Sequence, residues 1–172
     1  MGKRTVLLLF LANGLLLGVS WLMFAVAYPR LPARMPLWIN FFGQEPLAAQ
    51  KSPLLLLYPL AQTALCVLFT LAARKPAGRG SRCSESRFGL DEESEKIFSE
   101  LKKEFLFLSL IFFNLIFIHI QRTLILIAHG KAGGIDRYYF AVLIAVILML
   151  IPYYRIRAKM VLHEKRRGRT PR

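Results

Sequence analysis

Apolar residues fall along this chain in long uninterrupted blocks rather than at amphipathic intervals, and the blocks decide what kind of protein it is. Residues 5–27 run for 23 positions without a charge, and residues 54–73 for 20. Residues 105–128 carry a single charge, Arg122, in 24 positions, and residues 138–154 carry none in 17. A bilayer core takes about 20 apolar helical residues, within a range of roughly 17–25. Spanning segments must satisfy their own backbone groups, so these blocks predict helices rather than open strands. The expectation is an all-α fold, a four-helix transmembrane bundle occupying 1–172 as one membrane domain. Lys3 and Arg4 before an apolar run ending Ala25-Val26-Ala27 imitate a secretory signal with its cleavage box. The run is longer than the 7–15 residues of an ordinary signal core, so it is read as an uncleaved first span.

The segments between the blocks have distinct characters. Residues 28–53 are the least helical stretch, because Pro29, Pro32, Pro36 and Pro46 each remove a backbone donor and fix φ. The same stretch holds Leu31, Met35, Leu37, Trp38, Phe41 and Phe42, too apolar for a solvated linker. A Pro-shaped cap with aromatics at the headgroup level is expected there. Residues 74–104 divide into a basic, Gly- and Ser-rich half and a second half, LDEESEKIFSELKKE. In that second half Leu90, Ile97, Phe98 and Leu101 lie at helical spacing, which predicts an amphipathic helix running into the third span as one rod. Pro152-Tyr153-Tyr154 is expected to close the fourth span at the interface, leaving 155–172 as a basic tail on the inner leaflet.

Charge orients the bundle. The net charge of +14 arises from 24 Lys and Arg against 10 Asp and Glu. Eighteen of the basic residues fall before the first span, between the second and third, and after the fourth; only five fall in the other two connections. The positive-inside rule therefore predicts cytoplasmic termini, a cytoplasmic 74–104 loop and an outward-facing cap, in the plasma (inner) membrane. The basic residues are read as a footprint on an anionic inner leaflet, not on nucleic acid, since no nucleic-acid-binding fold or aromatic interleaving accompanies them.

Few residues carry chemistry. Gly14 and Gly18 form a GxxxG pair suited to close approach of another helix, with a homo-oligomer as one outcome. Tyr58, Gln62 and Cys66 share a face of the second span, and Thr63 and Thr70 form a strip beside it. The third span holds Asn114, His119, Gln121 and Arg122 within one arc. Arg122 stands about 9 Å from the outer end at helical rise, close enough to snorkel out or to reach Glu45 or Asp136. Cys66 and Cys83 suit neither a disulfide framework nor a metal spacing, and no cofactor is expected. No nucleophile–base pair, phosphate loop or zinc-protease motif occurs, and no Asp or Glu lies in any of the four blocks. These features argue against an enzyme and against a proton-coupled exporter.

The cap resembles a known pattern. Leu31-Pro32, Pro36, Asn40, Gly43 and Lys51, with Tyr58-Pro59 beyond, stand at spacings similar to those of a group of small bacterial integral membrane proteins. These carry an extracytoplasmic loop of unknown function, shared with the immunity proteins that protect sporulating bacteria from their own sporulation-delay toxin. The likeness covers about residues 28–65. Where that group has His-Phe, this chain has Trp38-Ile39, and it lacks the additional helices of the longer immunity proteins. The resemblance implies an outer recognition surface at Leu31, Pro32, Pro36, Trp38, Asn40, Gly43 and Lys51, engaging a peptide, lipid or protein partner. Two other roles compete with it: a small-molecule transporter or channel using the Asn114–Arg122 stripe, and a lipid-acting enzyme using His119, Glu45 or Asp136.

Overall fold

The computed structural model describes residues 2–36, 48–50, 53–74, 92–131 and 136–167, and the statements below concern these. Four helices make up nearly all of it: α1 (Gly2–Ala27), α2 (Leu57–Arg74), α3 (Glu92–Ala128) and α4 (Arg137–Arg167). Four segments are long and apolar enough to cross a membrane: Arg4–Arg30, which is α1 with the short turn that follows it, and Leu57–Arg74, Lys96–Ala128 and Arg137–Met160 within the other three helices. The chain is thus a multi-pass helical membrane protein.

Helix directions follow from the side-chain pairs. Asn13 meets Asn114 and Ser20 meets Gln121, so α1 and α3 run parallel, in a register where partners differ by 101 positions. Leu55 packs near Leu124 and Ala73 near Phe107 and Leu110, so α2 runs antiparallel to α3. His119 lies on Tyr139 while Phe105 lies on Tyr154, which sets α4 antiparallel as well. Alternation brings exposed Arg4, Arg74, Lys96, Arg155 and Lys159 to one end of the bundle, hereafter the basic end.

The other end is capped. A 3-10 turn at Tyr28–Arg30 continues α1, and two short strands, β1 (Arg34–Pro36) and β2 (Ala48–Gln50), pair antiparallel with Arg34 opposite Gln50 and Pro36 opposite Ala48. This ladder is an addition to the purely helical expectation. Pro36 is tolerated because it sits at the strand's end, where a missing donor costs least. A second 3-10 turn, Pro53–Leu56, leads into α2. Buried Leu31, Leu55 and Leu124 then tie cap, α2 and α3 into one apolar cluster that includes Phe24, Tyr28 and Tyr58.

Two helices outrun the membrane. α3 has 37 residues, about 55 Å of helix against a hydrocarbon core of about 30 Å. Its first turns are the amphipathic segment expected to join the third span, and they do so without a break. α4 differs from expectation: it passes through Pro152 and continues to Arg167, so the expected stop at Pro152–Tyr154 and the separate tail after it are replaced by helix over 155–167. An internal proline removes one backbone bond, which membrane helices tolerate when neighbours support the chain. Support is present here, since Phe105 meets Tyr154 edge-on at 5.1 Å and Glu104 binds Arg157 at 2.9 Å.

Candidate functional site

The bundle is apolar outside and carries polar residues among the leucines of its interior. Leu8, Leu15, Leu22, Leu148 and Met149 are exposed, whereas Asn13, Ser20, Gln62, Ser109, Asn114, Gln121 and Thr123 are buried. Lipid tails are as apolar as leucine, so hydrogen bonds and close packing, not burial of leucines, select how such helices associate.

The buried groups form two rungs between α1 and α3. At the first, the Asn114 amide Nδ2 donates to Asn13 Oδ1 at 2.8 Å. Asn13 Nδ2 in turn donates to the backbone carbonyls of Phe107 (2.9 Å) and Leu9 (2.8 Å). Cys66 of α2 reaches the same rung, its Sγ 3.8 Å from the Asn114 amide. The second rung lies seven residues further on each helix, about 10 Å along the axis. There the Ser20 hydroxyl donates to Gln121 Oε1 at 2.7 Å while Gln121 Nε2 donates back to the Ser20 carbonyl at 3.2 Å. Asn114 and Gln121 are both 0% exposed, so the α3 side of each rung is closed to lipid and solvent alike. Chemically the arrangement is a clasp, because every bond of the two rungs but the one from Asn13 to Leu9 crosses between helices.

The polar arc on α3 divides once folded. Asn114 and Gln121 face α1; Arg122 is exposed and forms no ion pair among the described residues. The Asp136 carboxylate, one of its expected partners, instead accepts from the backbone N–H groups of Tyr138 (3.0 Å) and Tyr139 (3.2 Å), capping α4. Glu45, the other, lies outside the described residues. His119 stacks on Tyr139 with ring centroids 4.4 Å apart, and its Nε2 is buried with no hydrogen-bond partner among the described residues. Gln62 is fully buried, and neither amide atom has a hydrogen-bond partner among the described residues.

On α2, Thr63 and Thr70 donate to the carbonyls four residues back, at Pro59 and Cys66, both at 2.7 Å. Thr63 also accepts from the Trp21 indole N–H at 3.1 Å. Gly14 and Gly18 are not points of close approach among the described residues: a Cβ at either would meet none of their atoms within 4 Å.

Of the cap residues singled out by the sequence, Leu31 is buried at 6% exposure and is a packing residue, whereas Pro32 is exposed. Pro36 belongs to β1. Trp38, Asn40, Gly43 and Lys51 lie outside the described residues. The Glu104–Arg157 pair was missed by sequence reasoning, because Arg157 was assigned to a tail rather than to a helix opposite Glu104. Arg157 also lies over the Tyr154 ring at 5.8 Å, which adds a cation–π contact.

These features define a multi-pass helical membrane protein with an internally hydrogen-bonded core. Compared with known proteins, the chain matches no family model, no curated protein and no solved structure.

Proposed function

We propose that this protein is a non-enzymatic membrane scaffold that presents its outer cap to a peptide or protein partner. Its orientation in this reading puts both termini in the bacterial cytoplasm and the cap outside, following the basic residues. The observation that carries the reading is the pair of rungs: Asn13 with Asn114, and Ser20 with Gln121. Polar groups on a conduction or turnover path must exchange partners with a passing solute. These are buried and bonded to each other, which suits a fixed support. The cap's resemblance to the toxin-immunity group adds a class of partner, a membrane-active peptide met from outside.

The test is photocrosslinking in cells from a probe at Trp38, with mass spectrometry of the adducts. A discrete peptide or protein adduct, lost on Gly43→Val, is the expected result. Adducts with bulk lipid alone overturn the recognition role and leave the cap as a lid.

A second reading, a small-molecule transporter, draws on Gln62 and His119, which have buried polar atoms with no partner among the described residues. It requires that Gln62→Leu abolish solute flux in reconstituted vesicles while folding is retained.

A further inference from the structure

We propose that the cleft between α1 and α2 is a binding site for one acyl chain of an anionic phospholipid, with the headgroup phosphate held at Arg74. The site does not depend on what the cap recognises.

α1 is zipped to α3 but stands apart from α2 near the basic end, and a cavity of about 330 Å³ remains between them. Its walls are Phe10, Leu17, Val67 and Leu71, with Phe107 and Leu110 of α3 as floor. Four polar side chains also line it, and none offers a free hydrogen-bond donor to an occupant. Thr63 and Thr70 donate to their own helix, and Asn13 donates to Leu9 and Phe107. Cys66 faces the Asn114 amide. Below Arg74 the cleft therefore presents mainly hydrocarbon and no free donor, and a polar solute would enter that part at a desolvation cost.

Length and charge then select among apolar occupants. From Thr63 to Arg74 the cleft follows eleven residues of α2, about 16 Å at helical rise, which is roughly half a 30 Å hydrocarbon core. That is the depth of one leaflet. At the cleft's end on the basic side stands exposed Arg74, the single charged residue lining it. Arg74 forms no ion pair among the described residues, and exposed Arg4 lies at the same end. A guanidinium at headgroup depth, above an apolar slot one leaflet deep, is complementary to a phosphate above an acyl chain.

Glycine supplies a matched pair of variants. Gly14 lines the cleft and Gly18 does not, yet a Cβ at either meets none of the described residues within 4 Å. Gly14→Phe places a ring in the slot, whereas Gly18→Phe adds the same ring to open lipid-facing surface.

The full-length protein is reconstituted in phosphatidylcholine vesicles containing a trace of phosphatidylglycerol with a diazirine on one acyl chain. Adducts are then mapped by mass spectrometry. Labelling should concentrate on the Phe10–Leu17 and Thr63–Leu71 segments. It should fall about fivefold with Arg74→Ala, the share of one surface cation, and disappear from these segments with Gly14→Phe but not Gly18→Phe. Three results each overturn the proposal: even labelling that includes exposed Leu148 and Met149 of α4; equal labelling by a phosphatidylcholine probe; and labelling indifferent to Gly14→Phe.

Discussion

Removing the Ser20 hydroxyl should cost more than removing the whole Gln121 amide, although Gln121 makes both bonds of that rung. Ser20→Ala deletes one hydrogen bond of 2.7 Å and leaves Gln121 Oε1 buried with no donor. An acceptor orphaned in this way costs about 1–3 kcal/mol. Gln121→Leu deletes both bonds of the rung but leaves no orphan. The freed Ser20 hydroxyl can turn to a carbonyl of its own helix, as Thr63 and Thr70 do on α2. The loss is then about 0.6 kcal/mol per interhelical bond, or about 1.2 kcal/mol for two. The double variant leaves two apolar groups facing each other and should resemble Gln121→Leu alone. The coupling energy expected from the cycle therefore equals the Ser20→Ala cost in size, about 1–3 kcal/mol. Reversible unfolding in mixed detergent micelles, titrated with sodium dodecyl sulfate, reads all four corners. Strictly additive costs would refute the reasoning, as would a Gln121→Leu loss exceeding that of Ser20→Ala.

Three further outcomes follow from the same geometry. Gln62→Leu should stabilise the protein by about 1–3 kcal/mol in the same titration, because it removes a buried amide with no partner among the described residues; a loss of stability would show that the amide is needed for folding. Glu104 and Arg157 are 18% and 35% exposed, so their pair should couple by about 0.2–1 kcal/mol in a Glu104→Gln/Arg157→Met cycle. That coupling should fade in about 1 M salt, and a salt-independent value would contradict its electrostatic origin. Asp136→Ala should cost about 1 kcal/mol through loss of the α4 cap and fray Arg137–Phe140, visible as faster amide exchange in that turn alone.

What could be read in the sequence depended on the range of the interaction involved. The four spans were legible because bilayer thickness imposes a length on any apolar block, and that constraint is local. The rod joining residues 92–104 to the third span was legible for a similar reason, since Ile97, Phe98 and Leu101 continue a helical period. The end of α4 was not, because Pro152 reads as a terminator in water, whereas Phe105 and Glu104 of α3 support the helix through and beyond it. The β1–β2 ladder was hidden by prolines that argue against strands, and three paired residues leave too little pattern to detect. Asn13, Ser20, Asn114 and Gln121 stood out individually, but their pairing crosses 101 positions. One signal was available: both helices carry their polar residues seven apart, which is what two parallel helices bonded at successive rungs require. Arg122 was grouped with this arc by angle alone, yet it is one position past Gln121 and turns outward.

The most direct test of a fixed support against a moving carrier is the α1–α3 separation in a lipid nanodisc. Nitroxides at exposed Leu15 and Arg122, in a Cys66→Ser/Cys83→Ser background, report it by pulsed electron spin resonance. The rungs predict a single narrow distance distribution, broadened by Gln121→Leu. Two resolved populations in the otherwise native protein would mean that the helices exchange between arrangements, and would contradict the scaffold account.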